Sequence, residues 1–243
     1  MRMLTFAKRT QKEILRDPLT LSFGLGFPAI LILLLSAIQA NVPVPLFEAS
    51  RLVPGMTVFG LSFMTLFSAT LIAKDRESAL LTRLYATPMR AADFILGYTL
   101  PLLPIALLQS AFCYAFGLLF GLELTVNILP AIFLTLPTAL FFIALGLLFG
   151  SILTQKQVGG VCGALLTNLS AWLSGIWFDL ELVGNAFQRV AGALPFLHAT
   201  NLSRHLYAGE WESVTAPLLL VSAFALASTA LAVFLFLRQM KKK

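Results

Sequence analysis

The residues best able to do chemistry stand together between Lys74 and Asp93, in the stretch KDRESALLTRLYATPMRAAD. Asp75, Arg76, Glu77, Arg83 and Arg90 offer both signs of charge for ion pairs. Leu80, Leu81 and Leu84, at i, i+1 and i+4, predict a short amphipathic helix, and Thr87-Pro88 marks its end. A bare turn between two helices needs only a few residues, and this stretch has roughly 20. It therefore predicts a docking element for another protein. The alternative is a solvated loop whose charges only orient the chain in a membrane.

Catalytic groups are scarce elsewhere. His198 and His205 fall seven apart, with Glu210 and Glu212 nearby as further metal ligands. Isolated histidines in a loop read instead as interfacial anchors or hydrogen-bond donors. No GxxxxGK[ST], HExxH or GxSxG occurs, so the chain has no phosphate-cradling loop and no hydrolase signature. Cys113 and Cys162 lie in apolar runs and read as small buried hydrophobes. These observations predict a chain that is not an enzyme and holds no metal or cofactor of its own.

The elements around these residues are those of a membrane protein. Of 243 residues, 58% are hydrophobic and 12% charged, with mean hydropathy +0.89. A soluble domain carries about 25% charged residues. Six apolar runs, near 19–39, 53–73, 94–121, 127–153, 158–178 and 214–237, are each long enough to cross about 30 Å of hydrocarbon. None contains Asp, Glu, Lys, Arg or His. The fold class is thus an all-α polytopic membrane protein, one domain over residues 1–243. Residues 1–18 interleave Arg2, Lys8, Arg9, Lys12 and Arg16 with Leu4, Phe6, Ala7, Ile14 and Leu15. They predict an amphipathic helix in the headgroup region, ended by Asp17-Pro18. A cleaved signal peptide is the rival, but 19–39 exceeds its usual apolar length of about 7–15 residues.

Net charge is +6, with the cations at helix ends rather than on a nucleic-acid face. One side holds the N-terminal five, Lys74, Arg76, Arg83, Arg90, Lys156, Arg238 and Lys241 to Lys243; the other holds only Arg51, Arg189 and Arg204. This bias predicts that both termini and the 74–93 loop are cytoplasmic, in a plasma or inner membrane. The external segment 179–212 is longer than a connection needs. Val183, Phe187, Val190, Ala191 and Leu194 share one helical face until Pro195, and Thr200 to Tyr207 predicts a second short helix stopped by Gly209, so the segment reads as short re-entrant helices that dip into the outer leaflet and return, or else as an ordinary interfacial helix.

Glycine pairs Gly117/Gly121, Gly146/Gly150 and Gly159/Gly163 are GxxxG units that let helices approach closely. A two-fold dimer would bury such faces and place a cavity on its axis. Phe59, Phe63 and Phe67 stack at i, i+4 and i+8, and Thr167, Asn168 and Trp172 lie on the fifth run. Either stripe could simply pack or meet lipid; the sharper expectation is that both line the path of an amphipathic substrate. No ionisable group sits at membrane depth, which argues against proton coupling. Energy must then enter through a partner, and the 74–93 loop is its natural seat.

Three motifs carry a family resemblance. They are Arg51-Leu52-Val53-Pro54-Gly55; Asp75-Arg76-Glu77-Ser78 with Leu84, Ala86-Thr87-Pro88 and Gly97; and Leu194-Pro195-Phe196 with Arg204 and Gly209. In this order and topology the chain resembles the membrane subunit of ATP-binding-cassette exporters, type 2 permease family. Ala79 replaces a usual glycine, and Tyr98 a common lysine. The resemblance implies two separate ATPase subunits carrying ATP and Mg, a second permease copy, a coupling helix within 74–93 and an elbow helix at the start. It also implies alternating access, and substrates ranging from drugs, antimicrobial peptides and lipids to polysaccharides and lipo-oligosaccharides. The aromatic spans and the lack of a large external domain favour drug-like or lipid-like amphipaths. A stand-alone carrier or channel is the remaining alternative.

Overall fold

A computed structural model describes residues 2–78, 80–85 and 89–241. Thr87 and Pro88, expected in the docking element, lie outside the described residues. Among those described, every regular element is helical. In order these are α1 (Arg2–Leu15), α2 (Pro18–Asn41), α3 (Ala49–Glu77), α4 (Leu80–Tyr85), α5 (Ala91–Leu118), α6 (Ile128–Leu134) and α7 (Leu136–Ile152). Then come α8 (Gln155–Val158), a π-helical segment (Gly159–Leu166), α9 (Thr167–Leu173), a 3₁₀ turn (Leu180–Leu182), α10 (Asn185–Gly192), α11 (Pro195–Ala208) and α12 (Trp211–Lys241).

Five stretches are long and apolar enough to cross a membrane: Leu21–Asn41, Ala49–Glu77, Ala92–Leu118, Ile128–Ile152 and Trp211–Arg238. The fourth is interrupted at Thr135, where Pro137 in the first turn of α7 removes a backbone donor and crowds the preceding turn. The sixth expected run, 158–178, is not among the five. It is built in three pieces, because Gly159, Gly160 and Gly163 weaken α-helical order and the ladder widens to π register. The Thr167 hydroxyl follows that register, donating to the Cys162 carbonyl at 3.0 Å.

Helix α3 is the centre of the bundle, with nearly every residue from Leu52 to Ala73 buried. Around it pack α2, α5, α7, α11 and the π segment. Helices α2 and α12 present long apolar faces outward, including Phe23, Ile30, Leu219 and Leu226, as lipid-facing helices do. Phe94 of α5 meets Phe236 of α12 at 5.5 Å, so the chain's two ends share one end of the bundle. In the segment after α9, α11 begins at Pro195 rather than Thr200. Proline's fixed φ and missing N–H suit a first helical turn. Gly209 ends α11 in the left-handed region, at φ 76°.

Candidate functional site

At 29 residues α3 spans about 43 Å, longer than the hydrocarbon core. Its last turn, Lys74 to Glu77, therefore continues as helix beyond the apolar run instead of opening the loop. Asp75 stands in that turn and points inward, with a side chain only 2% exposed. Its carboxylate accepts both ends of the Arg9 guanidinium, at 2.6 and 2.7 Å, and the Tyr98 hydroxyl at 2.7 Å. The Asp75 hydrogen bond, opposed by burial, pushes the Arg9 guanidinium above its usual range. Glu13 bridges Arg9 and Lys74, at 2.8 Å each. Gly97 leaves room on α5 for Phe6, whose ring meets Tyr98 at 5.0 Å and Phe94 at 5.8 Å. Asp75 thus ties α1, α3 and α5 together, and Tyr98 makes its contact as a phenol where the resemblance expects a lysine.

The next two residues reach other helices. Arg76 donates to the Ser151 and Leu153 carbonyls at the C-terminal end of α7, where backbone carbonyls run out of intrahelical donors. Glu77 accepts the Gln155 backbone N–H at 2.8 Å, at the positive N-terminal end of α8. Thr154 caps the same end through Gln157. Three consecutive side chains therefore gather five helices: α1 and α5 through Asp75, α7 through Arg76, and α8 through Glu77, all held from α3. Arg76→Lys should lower stability by about 1–2 kcal/mol, since an ammonium cannot reproduce the planar fork. A shift in the melting temperature of the detergent-solubilised chain would measure it.

Helix α4 hangs from this hub. Leu81 is buried, while Arg83 points to solvent without an ion-pair partner among the described residues. Arg90 is exposed, and its backbone N–H donates to Asp93, capping α5. The arrangement holds no catalytic constellation. It can transmit force, since displacing α4 loads the end of α3 and through it four other helices.

The expected path residues divide. Phe59, Phe63 and Phe67 are buried, closed over by α2: Phe27 meets Phe59 and Phe63 at 6.0 Å, and Gly24 lies against Phe67. Thr167 is buried, whereas Asn168 and Trp172 are exposed on α9. The glycines divide as well. A Cβ at Gly117 would overlap Val53, one at Gly146 would overlap Ser68 and the Thr65 carbonyl, and one at Gly150 would overlap Ala69. These three glycines are spent inside the chain, against α3. A Cβ at Gly163 would meet Leu66 at 3.3 Å, a tight contact, and one at Gly159 would meet nothing within 4 Å among the described residues. Gly121 is not a packing residue: at φ 91° it makes the turn after α5.

At the opposite end Arg204 donates to the Gly175 carbonyl at 3.0 Å and the Arg51 carbonyl at 3.3 Å. It thereby joins α11, the start of α3 and the turn after α9. Burial and the nearby Arg51 lower its pKa to about 10. His198 contacts the Gly192 carbonyl and His205 contacts Glu210, so the histidines serve different partners. Among the described residues no group of His, Cys, Asp and Glu is arranged to hold a metal.

Sequence reasoning missed Arg9, Glu13 and Tyr98 as members of the hub. The one available signal was Asp75 itself, a carboxylate two residues past the end of an apolar run and needing a cation. A family model described as ABC-2 type transporter matches residues 1–207. No curated protein matches the chain.

Proposed function

We propose, because the chain belongs to the ABC-2 type transporter family, that this membrane permease exports an amphipathic drug-like or lipid-like substrate from the cytoplasm or inner leaflet. A permease of this family is a transporter and not an ATPase. Two separate ATPase subunits, holding ATP and Mg, would drive it through α4 and the end of α3. The observation that carries this reading is the Asp75-Arg76-Glu77 hub, which gathers five helices directly beside an exposed amphipathic turn.

In this reading Gln155 to Leu173 is a sixth crossing, about 28 Å long by helical rise. An even number of crossings puts both termini on one side, and the lysine and arginine bias makes that side cytoplasmic. A second copy would cover the open face of Gly159, Asn168 and Trp172 and enclose a path between the protomers. Withdrawal of α2 from α3 would uncover Phe59, Phe63 and Phe67, giving two states for nucleotide to bias.

The test is reconstitution with a cognate ATPase. Arg83→Glu changes an exposed side chain, so the stability should stay within about 0.5 kcal/mol of wild type. ATP-driven efflux should fall tenfold or more. Glu77→Lys should lose both, because it also abolishes the cap on α8. Undiminished efflux by Arg83→Glu would remove α4 from the coupling path. Gradient-driven transport by this chain alone would establish a carrier instead.

A further inference from the structure

We propose that the cleft between α1 and the end of α3 binds the phosphate of an anionic phospholipid headgroup. The inference rests on the reading above only in placing α1 at a membrane surface. The cleft encloses about 880 Å³ and is lined by five basic side chains against two acidic ones. Arg9 and Lys74 are answered by Asp75 and Glu13. Lys8, Lys12 and Arg16 are not: among the described residues none has a carboxylate within ion-pair distance. They follow at i, i+4 and i+8 on one face of α1 and are exposed. Asp17 is the second acidic side chain of the lining, so the cleft keeps an excess of positive charge that an entering anion would offset.

The neighbouring strip of α1 says which kind of anion. Leu4 and Leu15 are 56% and 59% exposed, and on a helical wheel they adjoin Lys8. The opposite face, Phe6, Thr10 and Ile14, is already buried in the bundle. An apolar strip beside a cationic one suits acyl chains beside their own phosphate, with the basic side chains extending to headgroup level. Helix α2 leaves the same point with Phe23 and Ile30 outward, continuing the apolar surface down the tails. A soluble phosphate would use the cations but neither leucine. Because Glu13 bridges Arg9 and Lys74, a phosphate seated here also holds α1 against the hub.

The full chain in detergent micelles would be titrated with phosphatidylglycerol or phosphatidylcholine and bound lipid counted by native mass spectrometry. This needs neither ATPase nor transport, so its result is independent of the export reading. Wild type should retain phosphatidylglycerol preferentially. With about 1 kcal/mol per cation, the Lys8→Gln/Lys12→Gln/Arg16→Gln variant should bind it about a hundredfold more weakly. Lys156→Gln/Arg238→Gln, which removes cations outside the cleft, should bind normally, and so should the charge-keeping Lys8→Arg/Lys12→Arg. Equal retention by the triple variant would overturn the proposal. Displacement of the lipid by millimolar inorganic phosphate would overturn it in favour of a soluble anion.

Discussion

Replacing Arg9 by methionine should destabilise the protein by about 3–5 kcal/mol, the scale of stranding one member of a buried ion pair. The asymmetry of the pair decides which member matters more. Asp75 is 2% exposed and cannot turn to water, whereas Arg9 is 38% exposed and keeps Glu13. Losing Arg9 leaves a buried carboxylate with the Tyr98 hydroxyl as its remaining hub donor. Losing the charge of Asp75 leaves an arginine that solvent can serve. Asp75→Asn, which keeps the shape, should therefore cost only about 1–2 kcal/mol. The double variant Arg9→Met/Asp75→Asn should be more stable than Arg9→Met alone, because the stranded charge is gone. Thermal unfolding of the four proteins in one detergent measures the cycle. A wild-type melting temperature for Arg9→Met would show that the pair does not hold α1 to the bundle.

Asp75 also shows where sequence reading stops. Five of the six apolar runs, the amphipathic start and the punctuation at Pro18 and Gly209 were legible because each is a local signal of period, length or permitted φ. The charges after Ala73 read as the opening of a loop, because a hydropathy pattern marks where the hydrocarbon ends and not where the helix ends. The partner of Asp75 stands 66 residues earlier, and no local periodicity carries such a pairing. The Phe59, Phe63 and Phe67 ladder was correctly a face. What covers a face is a tertiary matter, and here α2 covers it. The three GxxxG units look alike in sequence, yet one packs on α3 throughout, one packs by its first glycine and turns the chain at its second, and one is largely open. Spacing offers the possibility of close approach, and the neighbour decides whether it is used.

That distinction yields the second large effect. Gly146→Leu should cost about 3 kcal/mol or more and abolish transport, while Gly159→Leu should leave stability near wild type. At Gly146 even a Cβ overlaps Ser68 and the Thr65 carbonyl, so α7 must move off α3. At Gly159 nothing lies within 4 Å. Separation at Gly146 would also break the hydrogen bonds from Thr65 to the Phe142 carbonyl, 2.9 Å, and from Ser68 to the Ile143 carbonyl, 3.0 Å. Interhelical hydrogen bonds in membranes are worth only about 0.6 kcal/mol each, so the steric contribution dominates. Ser68→Ala, which removes a hydroxyl without adding volume, should therefore cost less than about 1 kcal/mol. Unfolding in mixed detergent micelles, read beside transport with a cognate ATPase, separates the three variants. Equal losses for Gly146→Leu and Ser68→Ala would mean that hydrogen bonding, not backbone proximity, joins α7 to α3. Helix α7 lies between α3 and α12 and ends on the two carbonyls that Arg76 holds. If the proposed coupling through the hub holds, its seat on α3 sets whether a displacement there reaches α12.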